Sequence, residues 1–315
     1  MGQHTSSLLS QSLPPKSRFT EDDIPDLTGR VAIVTGGNTG IGKETVRALL
    51  SHNATVYLAA RSESKAKEAI RDLSIKTGGK EAIFLELDLA ELASVKRAVK
   101  VFSSRETELH MLFNNGGVMW PDVSLLTKDG YDLQWGTNVI GHYLLTKLLI
   151  PSLQEGAKSS PDKHARVVFT SSSAAYFDTI HWDTFKPSQE RDKLGTYGLY
   201  AQSKHGNVVI ANEFARRYAK DGIVTTSCNP GNLKSDLQRH LNPISHFLLN
   251  LILYPVQYGA LTQLWAATSP DTVDLNGKFL IPWARVGECR AEAYDPEVGR
   301  RLWEYLEEET KVQQE

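Results

Sequence analysis

Val31-Ala32-Ile33-Val34-Thr35-Gly36-Gly37-Asn38-Thr39-Gly40-Ile41-Gly42 is the stretch that decides the fold of this chain. A short apolar run leads into glycines spaced Gly-x-x-x-Gly-x-Gly, and helical periodicity follows over 44–51. Glycine allows a sharp turn and lets the backbone approach a ligand with no side chain between them. The helix N-terminus would then attract a pyrophosphate. The predicted dinucleotide-binding residues are Gly36, Gly40, Ile41 and Gly42; the alternative is a tight turn that binds nothing.

Strands and helices alternate on both sides of this turn. Apolar runs predict six strands, at 31–34, 56–59, 83–87, 111–113, 167–170 and 224–227. Helices are predicted between them, the longest over 131–149 and ending at Pro151. Continuous apolar strands separated by helices are typical of a parallel sheet covered on both faces. We therefore predict an α/β, Rossmann-type doubly wound parallel sheet in three layers, as a single domain.

The predicted domain covers 29–285 and includes a substrate lid at about 232–258. It follows a flexible N-terminal arm, 1–28, and precedes a C-terminal helical extension, 286–315. The chain has 315 residues, of which 41% are hydrophobic and 23% charged, enough for a large core. The net charge of −2 offers no footprint for nucleic acid.

Two cysteines form neither a disulfide framework nor a metal site, and the nine histidines show no ligand spacing, so no metal is expected. No apolar stretch reaches the roughly 18 residues of a membrane span, and a cytoplasmic location is expected. Met1-Gly2-Gln3-His4-Thr5-Ser6 fits the N-myristoylation pattern, which leaves weak membrane association as an option. The alternative is a tail that begins with Gly2 by chance.

Tyr200 and Lys204 are the candidate proton-transfer pair. On a helix, residues four apart share a face, so the ammonium can lie beside the phenol and favour its ionised form. A phenol titrates near pH ~10 unaided, which is too high for efficient proton exchange at neutral pH. Tyr143 and Lys147 have the same spacing but precede the serine-rich strand end at 171–173. We interpret that copy as helix packing with a solvated amine.

Arg61 and Lys65 bear on the choice of cofactor. Proteins that prefer NAD usually present an acid to the ribose 2′-hydroxyl about 20 residues beyond the glycine turn. This chain has Arg61 there, and a guanidinium can bind a 2′-phosphate with two hydrogen bonds. Lys65 could add a second cation. The sequence therefore predicts NADP(H), with NAD(H) less favoured; ordinary surface charge is the alternative.

Taken together, these motifs resemble the short-chain dehydrogenase/reductase family from about Gly29 to Trp283. The resemblance implies an adenine contact at Asp88 and a cofactor contact at Asn115, within Asn114–Gly117, where Gly116 replaces the usual alanine. It also implies a catalytic asparagine at Asn138 in the long helix, and a catalytic serine at Ser172 with Ser173 as the runner-up. After the sixth strand, it implies nicotinamide carboxamide contacts from Leu233 and Ser235. Within the family, the retinol-dehydrogenase-like branch and its fungal relatives look most similar.

The implied activity is hydride transfer between nicotinamide and a CH–OH or carbonyl group, with Tyr200 as proton donor or acceptor. Lys204 would lower the tyrosine pKa, and Asn138 would complete a proton path. Large apolar side chains at Met119-Trp120, 176–185 and 246–258 suggest a lipophilic alcohol, ketone or aldehyde; packing of the core or of a subunit contact is the alternative for these residues. The alternatives are a non-catalytic NADP(H) sensor or scaffold, and epimerase or dehydratase chemistry. By resemblance, a homodimer or homotetramer would form through helices near 131–149 and 198–219.

Overall fold

The computed structural model describes residues 8–233 and 253–311. Its strands are β1 Val31–Thr35, β2 Thr55–Ala60, β3 Ile83–Glu86, β4 Met111–Asn114, β5 Ala165–Thr170, β6 Ile223–Cys228, β7 Phe279–Ile281 and β8 Arg285–Gly287. Its main helices are α1 Gly40–Ser51, α2 Glu63–Lys76, α3 Leu92–Ser103, α4 Gly141–Ser159, α5 Gln189–Tyr218, α6 Val256–Thr268 and α7 Pro296–Glu309. The short helix Leu133–Trp135 and the π-helix Gly136–Ile140 lead into α4.

The strands form one sheet in the order β3-β2-β1-β4-β5-β6-β7-β8. All neighbours pair in parallel except β7 and β8, which are antiparallel. From β1 the chain adds β2 and β3 on one side, and β4 and the later strands on the other, so the strand order reverses between β1 and β4. Ligands of open α/β sheets bind at such a switch point. The predicted Rossmann-type parallel sheet is confirmed. The sequence interpretation missed β7 and β8, because three-residue strands carry too little periodicity to be recognised.

Hydrophobic side chains pack on both faces of the sheet. Along β1, Val31 and Ile33 join one buried cluster, whereas Ala32 and Val34 join the other. Alternate residues of a strand point to opposite faces, so a strand that is apolar throughout must be covered twice. This is why the continuous apolar runs in the sequence predicted three layers.

The prediction that the long helix ends at Pro151 was wrong, because α4 continues through this residue to Ser159. Proline cannot donate the backbone hydrogen bond to the carbonyl four residues earlier. The helix persists because burial of Leu149, Ile150 and Leu153 around the proline stabilises it more than one missing bond costs.

Residues 8–28 of the predicted flexible arm pack against the domain. Phe19, Ile24 and Leu27 are buried in the same cluster as Val34. Nearer the N-terminus, the side chain of Gln11 is buried and donates to the Tyr176 hydroxyl at 3.0 Å. The segment is polar on average, so its three buried apolar residues were not recognised from the sequence. Residues 1–7, which include the myristoylation pattern, lie outside the described residues.

The C-terminal helix α7 covers the two long helices α4 and α5. The buried ring of Trp303 lies 5.1 Å from Tyr143 and 5.0 Å from Phe214, between ring centroids. The ammonium of Lys147 lies 4.7 Å from the Trp303 ring and pairs with Glu307 at 2.8 Å. Tyr143 therefore packs in the core and Lys147 sits in a surface ion pair, as the interpretation of this second Tyr-x-x-x-Lys copy expected.

Candidate active site

The glycine turn lies at the switch point of the sheet, between the carboxyl ends of β1 and β4. Gly36 has a φ of +64°, and a Cβ there would lie 2.9 Å from the Cα of Gly116. A Cβ on Gly42 would lie 2.3 Å from the Gly36 carbonyl oxygen. The side chain of Asn115 closes the turn by donating to the Thr35 carbonyl at 2.9 Å. These approaches leave no room for side chains at either glycine.

The start of α1 fits a bound phosphate. Gly40 has a φ of +54°, and a Cβ built on it meets nothing within 4 Å in the part of the chain that the structure describes. The helix N-terminus, with its partial positive charge and unpaired N–H groups, is thus open where the glycine turn ends. This geometry fits the pyrophosphate of a dinucleotide at Gly40, Ile41 and Gly42.

Arg61 follows the carboxyl end of β2, and both it and Lys65 are exposed. The nearby Glu63 pairs with Lys67 at 2.7 Å rather than with either of them. Two cations therefore stand beside the site predicted for the adenosine ribose. Asp88 follows β3, and its carboxylate accepts a hydrogen bond from the Ala90 N–H at 2.9 Å.

Ile41 and Leu233 approach each other across the start of α6. A Cβ on Gly259 would lie 2.2 Å from Leu233 Cδ1 and 3.0 Å from Ile41 Cγ1. Glycine at position 259 thus lets these two predicted cofactor contacts pack together. Ser235, the other predicted nicotinamide contact, lies outside the described residues, as does most of the predicted lid.

Ser172, Tyr200 and Lys204 come together at the carboxyl end of β5. A hydrogen bond joins the Ser172 hydroxyl to the Tyr200 phenol. The Lys204 Nζ lies 5.7 Å from the centroid of the Tyr200 ring and donates to the Thr170 carbonyl at 2.9 Å. Ser171 instead points to the helix, donating to the Lys204 carbonyl at 2.6 Å. Of the three consecutive serines, the second is the one bonded to the tyrosine.

The pKa of Tyr200 shifts in the opposite direction to the sequence prediction. Burial raises the pKa of this phenol to about 12, and the hydrogen bond from Ser172 only partly opposes the rise. Burial also lowers the pKa of the Lys204 ammonium to about 8. Removing both groups from water disfavours their charged forms, which outweighs their mutual attraction here. At neutral pH the phenol carries its proton and can act as a donor.

Asn138 lies in the π-helix and fastens the loop that follows β4. Its side-chain oxygen accepts from the Val118 N–H at 2.9 Å, and its amide donates to the Val118 carbonyl at 3.0 Å. A Cβ on Gly117 would lie 2.9 Å from Asn138 Oδ1 and 3.8 Å from Lys204 Nζ. The structure thus places the asparagine next to the lysine.

Two buried polar residues around the site escaped the sequence interpretation. His142 contacts the Asn138 carbonyl at 3.0 Å and the Thr35 hydroxyl at 2.9 Å. Gln134 joins the loop after β4 to α5, by bonds to the Trp120 N–H at 3.0 Å and to the Thr196 carbonyl at 2.9 Å. Neither belongs to a recognisable motif, and the only available signal was a polar residue within an apolar helical segment.

Comparison with known proteins agrees with this geometry. The sequence profile described as short chain dehydrogenase matches residues 30–245. A short-chain dehydrogenase/reductase from Armillaria gallica is 57% identical over 97% of this chain and 98% of its own length. Another, from Phaeosphaeria nodorum, is 42% identical over 85% and 88%. A solved structure of an uncharacterized protein from Mycobacterium paratuberculosis is 29% identical, with a TM-score of 0.70 and coverage of 94% and 98%.

The chain therefore belongs to the short-chain dehydrogenase/reductase family, whose members are oxidoreductases that bind NAD(P)(H). The retinol-dehydrogenase-like branch is not named by these relatives and stays a prediction. Within residues 8–233 and 253–311, no helix is long and apolar enough to cross a membrane. The same residues contain no group of three or more side chains that could hold a metal ion.

Proposed function

We propose that this protein is an NADP(H)-dependent oxidoreductase that interconverts a lipophilic carbonyl compound and its alcohol. The observation that carries the proposal is the cluster of Ser172, Tyr200 and Lys204 beside the glycine turn. A binding protein needs no buried, protonated phenol bonded to a serine hydroxyl. This favours catalysis over a sensor or scaffold with the same fold.

In the reductive direction, the substrate carbonyl oxygen accepts a hydrogen bond from Ser172 and a proton from Tyr200. When bound, NADPH would supply the hydride that reduces the carbonyl carbon to the alcohol, and would itself become NADP⁺. Lys204 stabilises the phenolate that remains and binds the ribose of the cofactor. Asn138, adjacent to Lys204, belongs to the path that returns a proton to the tyrosine.

Selection of NADP(H) is assigned to Arg61 and Lys65. Both side chains are exposed, and Arg61 directly follows the strand end that leads to the adenosine ribose. Guanidinium groups bind phosphate with paired, charge-assisted hydrogen bonds. A 2′-phosphate is therefore the group that these two cations would recognise.

The substitution Tyr200→Phe tests the proposal because it removes one hydroxyl and keeps the ring. We expect turnover of ketones or aldehydes with NADPH to fall at least about 1,000-fold, while NADPH affinity measured by fluorescence titration stays within about twofold. Tyr143→Phe is the matched control, since Tyr143 has the same sequence spacing but lies in the core. Unchanged turnover in the Tyr200 variant would contradict the assignment.

A further inference from the structure

A cleft of about 630 Å³ opens next to the candidate active site. It lies between the loop that follows β4 and the part of α5 just before Tyr200. The side chain of Trp120 lines the cleft and also borders the candidate active site, with its ring centroid 6.2 Å from that of Tyr200 and the two rings nearly perpendicular. The main residues that line the cleft are Trp120, Pro121, Val123, Leu125, Gly195 and Thr196.

Aromatic rings at the mouth of this cleft are exposed to solvent. Trp120 is 40% exposed and Tyr197 68% exposed, with their ring centroids 4.9 Å apart. Leu125 is also 48% exposed. Several large apolar side chains exposed together mark a binding surface more often than a folding requirement. We define Trp120 and Tyr197 as the aromatic platform.

The backbone under the aromatic platform is strained but firmly held. Trp120 has a φ of +54°, a left-handed conformation that is rare for a bulky residue. The buried Gln134 holds both walls, through the Trp120 N–H and the Thr196 carbonyl. The Thr196 hydroxyl then donates to the Pro121 carbonyl at 2.8 Å, which ties the walls together directly.

A second buried side chain anchors the outer part of the loop. Arg191 pairs with Asp132 at 3.0 Å and donates to the Leu125 carbonyl at 3.2 Å. Because buried polar groups hold the loop in place, its apolar side chains keep a fixed arrangement at the surface. A ligand that binds such a preformed surface loses less free energy to ordering of the protein.

The charge of the cleft disfavours anionic ligands. Among the described residues that line it, Asp122 is the only charged one. The carboxylate of Asp122 accepts hydrogen bonds from the N–H and hydroxyl of Ser124, which lower its pKa and keep it anionic. None of the lining residues in 8–233 and 253–311 is cationic, so a carboxylate or phosphate on the substrate would find no partner among them.

We propose that the aromatic platform binds the flat ring of a neutral aryl ketone or aryl aldehyde and so selects the substrate of the reaction proposed above. A ring that stacks on Trp120 lies about one ring's width from the Tyr200 phenol, so the carbonyl is attached directly to the ring or conjugated with it. Aromatic rings prefer offset-stacked or edge-to-face contacts, which a saturated ring of equal size cannot make. The inference rests on the proposed function and adds the substrate class.

A matched pair of substrates tests this inference. Acetophenone and cyclohexyl methyl ketone share the reacting group and similar volume, but only the first has a flat ring. We expect the wild-type protein to prefer acetophenone in kcat/KM by about five- to tenfold, the scale of one aromatic contact. Trp120→Leu should reduce this ratio to about one, mainly through KM, whereas Trp120→Phe should retain most of it.

The control is Ile75→Ala, since Ile75 is an exposed apolar residue on α2, outside the cleft, and its loss should leave the ratio unchanged. Thermal unfolding of each variant checks that it folds. Saturation-transfer NMR with acetophenone reports ring binding independently of turnover. Equal handling of both ketones, or acetophenone contacts that survive in Trp120→Leu, would overturn the inference while the proposed function stands. Absence of any carbonyl turnover alongside Trp120-dependent acetophenone binding would instead remove the proposed function.

Discussion

The imidazole Nδ1 of His142 lies 3.0 Å from the backbone carbonyl oxygen of Asn138, one turn earlier in the chain. A carbonyl only accepts hydrogen bonds, so Nδ1 must carry the proton. Burial lowers the pKa of His142 to about 3, with the charge of Lys204 acting in the same direction. The ring is therefore neutral, and its bare Nε2 accepts from the Thr35 hydroxyl at 2.9 Å. Through these two hydrogen bonds, the neutral His142 ring with its proton on Nδ1 connects the glycine turn with the predicted catalytic asparagine.

This arrangement predicts a loss of stability in acid. The pKa of His142 is lower in the folded than in the unfolded chain, so below pH 6.5 the unfolded state binds the extra proton. Stability should fall as pH drops from 6.5 towards 3, by about 1.4 kcal/mol per pH unit from this residue. His142→Asn keeps a donor for the Asn138 carbonyl but does not titrate.

Urea unfolding at pH 7 and pH 5 provides the measurement. We expect the loss of unfolding free energy between these two conditions to be about 2 kcal/mol smaller in His142→Asn than in the wild type. His164→Asn, at a partly exposed turn, serves as the control. An identical loss in the His142 variant and the wild type would show that the histidine does not stay neutral in the fold.

Lys204 should contribute to function at the expense of stability. Because burial lowers the pKa of Lys204 to about 8 from an ordinary 10.5, its charge destabilises the fold below pH 8. Lys204→Met should raise the unfolding free energy at pH 7 by about 2–3 kcal/mol and abolish turnover. The Thr170 carbonyl keeps a partner, since Asn207 also donates to it at 3.2 Å.

The gain from Lys204→Met should shrink as pH rises from 8 to 10.5, because the lysine of the wild-type fold then loses its charge. Unfolding free energies at pH 7 and pH 10 measure this change. Lys147→Met is the matched control: Lys147 occupies the surface ion pair with Glu307, and its replacement should leave activity intact. A destabilised Lys204→Met at pH 7 would contradict the reasoning.

Arg61→Ala should discriminate between the two nicotinamide cofactors. A guanidinium bound to a 2′-phosphate makes charge-assisted hydrogen bonds, so its loss should raise the dissociation constant for NADPH about 10- to 100-fold. NADH lacks this phosphate, and its affinity should change by less than about twofold. Fluorescence titration with each cofactor makes the comparison. Arg71→Ala is the control, because Arg71 is also exposed but lies two turns or more along α2. Equal effects on NADPH and NADH would remove the proposed preference.

Trp303→Ala should cost stability, about 3–5 kcal/mol, because the ring is buried between α4 and α5. The resemblance to the family predicted assembly through these two helices, yet α7 of the same chain covers part of them. We therefore expect light scattering after size-exclusion chromatography to show no dimer through this face in the wild type, and association in the variant. Trp303→Phe should show a smaller loss and no association. Unaltered stability in Trp303→Ala would mean that α7 is dispensable.

The sequence by itself determined the parallel sheet, the glycine turn after its first strand and most of the residues predicted for the site. Continuous apolar strands demand two covered faces, and the glycines of the first turn are required by backbone approaches of under 3 Å. The approach of Gly42 to the Gly36 carbonyl lies within one turn, and the glycine spacing records it even though the approach of Gly36 to Gly116 joins distant parts of the chain. The pair Tyr200 and Lys204 was found from its spacing along one helix together with its position after the serine-rich strand end, which distinguished it from Tyr143 and Lys147.

Only the tertiary structure decided the protonation of that pair, the roles of Gln134 and His142, and the path of α4 through Pro151. Each depends on how far a group is removed from water and on partners distant in the chain: the Thr35 hydroxyl that contacts His142 is 107 residues away. The charge on Lys204 favours ionisation of Tyr200 wherever the two are close, but burial opposes it. Which effect is larger is a property of the packed interior, because only packing sets the local dielectric and the desolvation cost.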